Sequence, residues 1–177
     1  MTPRFFGYGS LVNTATHDYP APQKAKLTGW RRVWRQTDIR ELAFLSVEPC
    51  EDTDLLGLTA EVPGANWAAL DQREFAYSRH DISHQIAPYQ TQTAVYVVDQ
   101  DVAGRAHPIL LSYLDVVVQG YLHQFGEEGA HHFFDTTHGW DIPILNDRAS
   151  PRYPRAQVLS PTERGLVDEL LRMKTGR

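Results

Sequence analysis

The chain has 177 residues, a net charge of −5 and 42% hydrophobic residues, enough length and apolar content to bury a core. The acidic balance gives no overall field for nucleic acid, and no apolar run is long enough for a membrane span. Cys50 is the single cysteine, which excludes an intrachain disulfide framework and makes a cytoplasmic home the default; no basic and apolar leader is visible, so no signal peptide is expected.

In chain order, Arg4 to Phe6 reads as a short strand that Gly7-Tyr8-Gly9-Ser10 breaks. Two glycines two apart allow a turn with positive φ that can aim backbone N–H groups into one concavity, with Tyr8 and Ser10 hydroxyls on its rim. Asn13 to Lys24 reads as a surface loop. Leu27 to Gln36, with Trp30, Val33 and Trp34 among arginines, reads as a strand, or a bent pair, with an aromatic inner side of core tryptophans flanked by solvated arginines. Leu42 to Val47 and Leu55 to Val62 read as strands around an acidic turn at Glu51-Asp52-Thr53-Asp54, and Pro63-Gly64 ends the second.

Ala65 to Ser78 then reads as a helix. Ser83 to Ala87 and Thr93 to Val98 read as strands. Ile109 to Val118 reads as a helix ended by Gly120, and Glu127 to Thr136 as another. Gly139 to Pro154 reads as an irregular wrap. The last helix has a clear start: Ser160-Pro161-Thr162-Glu163 puts serine at the N-cap, proline at the first helical position and glutamate three residues after the cap. Strands first and helices afterwards predict an α+β fold in one domain over 1–177, with a core at about 4–125 and a helical C-terminal extension over 126–177.

One residue breaks the expected pattern. On a helix from Ala65 to Ser78, Trp67, Leu70 and Tyr77 share a stripe, and Glu74 falls inside it. A carboxylate there needs a partner or a raised pKa, and a buried acid of that kind is suited to proton transfer. Arg73 points about 100° away on such a helix, which leaves Arg79 as the expected partner. His131, Asp135 and His138 share a helical face and are metal-ligating types, but Phe133 and Phe134 interrupt them and no His-Glu-x-x-His pattern exists; no metal is expected. No nucleophile elbow surrounds Ser10.

Gly7-Tyr8-Gly9-Ser10-Leu11 after a short strand, then Gly29-Trp30-Arg31-Arg32, Leu56-Gly57-Leu58 and Leu70-Asp71-Gln72-Arg73-Glu74 resemble the γ-glutamylcyclotransferase-like superfamily, with the first loop and the Arg-Glu pair closest to its ChaC-like, glutathione-cleaving branch. The resemblance spans roughly residues 4 to 125. It implies a small mixed β-barrel with flanking helices, Glu74 as catalytic acid and base, and a γ-glutamyl substrate held by Gly7, Tyr8, Gly9, Ser10 and Leu11, with Tyr77 and Arg79 beside it. It implies release of 5-oxoproline from a γ-glutamyl amide, glutathione included, without cofactor or metal. The alternatives are a non-catalytic binding module on the same fold, or a hydrolase or transferase of another γ-glutamyl amine. Neither nucleic acid nor membrane is an expected partner, and a homodimer stays open.

Overall fold

The computed structural model describes residues 1–90 and 92–177. Nine strands and three α-helices follow one another in an α+β arrangement among these residues. The strands are β1 (Arg4–Gly7), β2 (Gln23–Arg35), β3 (Phe44–Glu61), β4 (Ser78–Asp81), β5 (Ile86–Ala87), β6 (Thr93–Val97), β7 (Ile109–Leu110), β8 (Thr137–His138) and β9 (Ile144–Leu145). The α-helices are α1 (Ala68–Arg73), α2 (Leu111–Asp135) and α3 (Pro161–Thr175). None of the described helices is long and apolar enough to cross a membrane.

Seven strands form one mixed, curled sheet in the order β4-β6-β1-β3-β2-β5, with β8 also on β2, an open half-barrel. β1 is central: it pairs antiparallel with β3 and parallel with β6. Its side chains alternate between two cores, as strand geometry requires. Phe6 joins the larger core with Leu58, Val95, Val117 and Tyr121, whereas Phe5 joins the smaller one with Leu70 and Tyr96. α2 therefore covers one face of the sheet and α1 the other. Each fully buried phenylalanine contributes about 1.5–3 kcal/mol.

β2 changes its inward parity midway. Ala25 and Leu27 are buried, then Trp30, Arg32 and Trp34. The switch occurs at Gly29, whose φ of +81° suits glycine alone among common residues. There the register against β3 jumps from Thr28↔Asp54 to Trp30↔Pro49. This corrects two expectations. Glu51 to Asp54 is no turn between strands: residues 50–53 form a bulge within one continuous β3, and Asp54 is back in register opposite Thr28. Arg32 is not solvated; the parity switch sends it into the core between the two tryptophans.

Three further boundaries differ from the sequence reading. α1 has six residues only, because Glu74 leaves helical geometry at φ −100°, ψ 39°. The strand expected over Ser83 to Ala87 is reduced to β5, with β4 added ahead of it. Gly120 does not end a helix: α2 runs through it and breaks at Gly126, where φ is +73°. Gly120 serves close approach instead, since a Cβ there would lie 2.7 Å from the Asn13 nitrogen. Asn13 in turn donates from Nδ2 to Val116 O and Gln119 Oε1, each at 3.0 Å, which clamps the segment after β1 onto α2. α3 carries the expected capping box, with Ser160 accepting from the Glu163 amide and the Glu163 carboxylate accepting from the Ser160 amide.

Candidate active site

The segment that follows β1 is a tight 3₁₀ turn, Ser10–Val12. Gly7 and Gly9 are needed here for space, not for positive φ, which neither adopts. A Cβ on Gly7 would stand 2.6 Å from Leu11 Cβ, and one on Gly9 would stand 2.7 Å from the Tyr113 hydroxyl. Gly57 across the ladder lets the Gly7 carbonyl pass, since a Cβ there would come within 2.3 Å of it. Arg32 fixes the turn from beneath. Its Nε donates to Tyr8 O at 2.8 Å and its Nη2 to Leu56 O at 2.9 Å. Its Nη1 donates to Thr136 Oγ1 at 2.6 Å, and it also pairs with the Tyr121 hydroxyl.

α1 brings Glu74 to this turn from the other side. Leu70 is buried in the smaller core, and one helical turn later the chain leaves the helix with the Glu74 side chain 14% exposed. Its partner is Arg73, whose Nε lies 3.5 Å from Glu74 Oε1. Arg79 is committed elsewhere: it pairs with Asp71 at 3.0 Å, lies over the Trp67 ring at 4.5 Å and lines a separate hollow with His80. The expected exclusion of Arg73 assumed a helix through Ser78. Because α1 stops at Arg73, the 100° rule ends there too. Arg73 also ties α1 to the turn, donating to Ser10 Oγ at 3.3 Å, Thr16 O at 2.9 Å and Thr16 Oγ1 at 2.9 Å.

Glu74 lines an open cleft of about 400 Å³ and a recess of about 30 Å³ behind it. The recess is bounded by residues 7–11, Tyr77, Tyr96 and Tyr113, and Ser10, Glu74, Tyr77 and Tyr113 stand at the junction of the two hollows. Burial pushes the Glu74 carboxyl above its ordinary value, and the charges of Arg73 and Arg155 offset part of that rise. Burial likewise pushes the Tyr8, Tyr77 and Tyr113 phenols well up, so all three stay protonated. Tyr8 turns its hydroxyl inward, donating to Tyr96 O at 2.6 Å, instead of offering it on the rim. Tyr77 donates to Leu45 O at 2.8 Å.

A γ-glutamyl cyclotransferase structure superposes with a TM-score of 0.60 at 11% identity, over 96% of this chain and 99% of that one. The chain has the γ-glutamylcyclotransferase-like fold. An uncharacterized protein from Homo sapiens matches with a TM-score of 0.59 at 13% identity, over 94% of this chain and 98% of that one. YkqA from Bacillus subtilis matches with a TM-score of 0.57 at 16% identity, over 78% of this chain and 56% of that one. No protein-family model and no curated protein matches the sequence.

The fold thus gathers Gly7, Tyr8, Gly9, Ser10, Leu11, Glu74 and Tyr77 around one pair of hollows and leaves Arg79 outside. Sequence reasoning missed Tyr113, Arg40, Arg152 and Arg155, which also line the cleft. Tyr113 had one available signal, a phenol in the most apolar window of the chain. Arg152 and Arg155 flank a Tyr-Pro pair in a segment with no periodicity. His131, Asp135 and His138 form no metal-binding group among the described residues.

Proposed function

We propose that the protein is a cyclotransferase that converts a γ-glutamyl amide into 5-oxoproline and a free amine. The observation that carries the reading is Glu74: a largely buried carboxyl with a raised pKa, placed between a substrate-sized cleft and the Gly7–Leu11 turn. A γ-glutamyl amide contains its own nucleophile, so the enzyme has no need of a serine or cysteine.

In this reading the α-ammonium gives a proton to the Glu74 carboxylate. The freed α-amine attacks the γ-carbonyl carbon and a C–N bond forms, closing a five-membered ring. The bond from that carbon to the departing nitrogen breaks as Glu74 returns the proton to that nitrogen. The ring nitrogen then gives up its second proton through the Glu74 carboxylate to the released amine, which departs as an ammonium while the ring becomes a neutral lactam. Raised basicity makes Glu74 a better acceptor than an ordinary carboxylate, while Arg73 supports its ionised form between turnovers. The turn contributes backbone amides: among the described residues, no backbone hydrogen bond outside the ladders and helices starts from Gly9 or Leu11. These amides would hold the γ-glutamyl end in its folded conformation, which is catalysis by proximity.

The test is 5-oxoproline release from a panel of γ-glutamyl amino acids, peptides and amines, glutathione included, by native protein and by Glu74→Gln. Release by the native protein alone supports the reading. Equal release by both proteins eliminates Glu74 as the proton carrier.

A further inference from the structure

Among the described residues, β4 closes one end of the large sheet: it pairs with β6 along one side and has no strand along the other. Its residues Arg79, His80 and Asp81 are exposed. The register with β6 sets which backbone groups face outward. Ile82 continues the ladder opposite Thr93 and donates to Thr93 O at 2.9 Å. Antiparallel pairs alternate, so Ser78 and His80 also turn their N–H and C=O groups toward β6. Arg79 and Asp81 turn theirs away from the sheet, where no described group bonds to them.

The Arg79 and Asp81 side chains share one face of β4, carry opposite charges and keep bonding capacity in reserve. Arg79 meets Asp71 through Nε at 3.0 Å, and its two terminal nitrogens make no hydrogen bond among the described residues. Asp81 accepts from the Ser83 hydroxyl at 2.5 Å and the Ser83 amide at 2.9 Å through Oδ1 alone, which leaves Oδ2 open. The Ser83 hydroxyl, then the Ser83 amide, hold the Asp81 carboxyl below its ordinary value, so it is ionised at neutral pH.

An exposed edge with free backbone groups is a template for another strand. A strand that pairs with its own copy about a twofold axis does so antiparallel, and outward groups must meet outward groups. Within β4, registers centred on Arg79, His80 or Asp81 meet that condition. Centred on Arg79 or on Asp81, the pairing sets two like charges directly opposite each other, which is destabilising. Centred on His80, it sets Arg79 of each copy opposite Asp81 of the other. We infer that β4 is a dimer interface, through which two copies of this chain join their large sheets edge to edge in the register centred on His80. The outward N–H and C=O groups of Arg79 and Asp81 are then all paired, and the free Arg79 nitrogens meet the free Asp81 Oδ2. The inference does not depend on the reaction proposed above.

Sedimentation equilibrium from about 1 μM to 1 mM reads the association of the native chain, whose mass is expected to rise toward that of a dimer. Arg79→Asp sets like charges opposite each other in this register, and so does Asp81→Arg. Each is expected to weaken the dimer by at least about tenfold. An equimolar mixture of the two variants restores opposite charges across both pairs and is expected to associate again. Mixing isolates the contact between copies, because the lost Asp71 and Ser83 bonds stay lost in the mixture. A native chain that stays monomeric overturns the inference and leaves the edge to a strand of another protein. A dimer that survives either substitution, or folded variants that fail to associate on mixing, overturns it too. If circular dichroism shows a variant unfolded, amide hydrogen exchange of the native chain decides. Protection of the Arg79 and Asp81 amides that rises with concentration upholds the interface, and protection that does not rise overturns it.

Discussion

Arg32 and Tyr121 converge on the same two backbone carbonyls. The guanidinium reaches Tyr8 O at 2.8 Å and Leu56 O at 2.9 Å, and the phenol lies 2.9 and 2.7 Å from the same atoms. Tyr121 has one proton to give and can serve one carbonyl at a time. Arg32→Met therefore leaves one buried carbonyl without a donor, an expected loss of about 1–3 kcal/mol. In Tyr121→Phe the guanidinium still serves both carbonyls, and the expected loss is smaller, about 0.5–1.5 kcal/mol. Urea unfolding of the two variants checks the order. A phenylalanine variant less stable than the methionine one would contradict it.

Glu74→Gln keeps the size of the side chain and removes its exchangeable charge. Turnover is expected to fall by about 10²–10⁴-fold, with substrate binding retained in calorimetry. The stability effect has the opposite sign. A carboxyl whose folded pKa is raised by burial favours folding most when protonated and loses that contribution as pH rises through its folded pKa. Glu74→Gln is thus expected to gain stability over the native chain as pH rises above the ordinary carboxylate range, and to match it in acid. Melting temperatures from pH 3 to 8 give the comparison. A difference that does not vary with pH would mean that Glu74 is not desolvated.

Gly9→Ala introduces a methyl 2.7 Å from the Tyr113 hydroxyl and 3.2 Å from Leu45 Cδ2. Both neighbours are packed, so the expected loss is about 1–3 kcal/mol. Tyr113→Phe removes the nearer atom, and the next atom of that ring lies at 3.9 Å. The double variant Gly9→Ala/Tyr113→Phe should then lose less than the two single losses added. A double-mutant cycle by urea unfolding measures this coupling, and simple additivity would separate Gly9 from Tyr113.

His132 is the main acid-sensitive point outside the cleft. Its Nε2 accepts the Leu56 amide at 3.0 Å, and burial, then the charge of Arg32, push its pKa down to about 4. A histidine lowered in the fold contributes stability that is present above its unfolded pKa, about 6.5, and lost as pH falls toward 4. The native chain is expected to weaken over that window, and His132→Gln to weaken less steeply. The pH dependence of the urea midpoint decides it. Parallel profiles would place the acid sensitivity elsewhere.

Local chemistry made parts of this molecule readable. Ser160, Pro161 and Glu163 form their capping box within one turn of chain, and Arg4 to Phe6 is the strand its residues suggest. Glu74 was singled out because its charge conflicts with Trp67 and Leu70 on a helical stripe, although that helix ends before reaching Tyr77. What escaped depends on chain partners far away in sequence. Gly120 has the look of a helix end until Asn13 packs against it. Arg32 has the look of a solvated residue until the bulge at Gly29 reverses the parity of β2. Arg79 was the nearest plausible partner for Glu74 in sequence, yet Asp71 on α1 takes it.

Glu74 and two of the cleft arginines, Arg152 and Arg155, stand on separate supports. Glu74 is carried by α1, whose Leu70 packs with Phe5 of β1 and Tyr96 of β6. Arg152 and Arg155 are carried by a strap whose Asp147 binds Ser112 on α2 and whose Arg148 bridges Asp115 on α2 to Asp168 on α3. Among the described residues no hydrogen bond joins Glu74 to that strap. Residues 147–155 therefore reach the cleft without resting on α1, and they meet its centre through the Tyr153–Tyr113 ring contact and the charge of Arg155 on Glu74. A strap carried this way can vary in sequence between Asp147 and Arg155 while the α1 support of Glu74 stays as it is, so that the wall of the cleft and the position of its carboxyl can change separately.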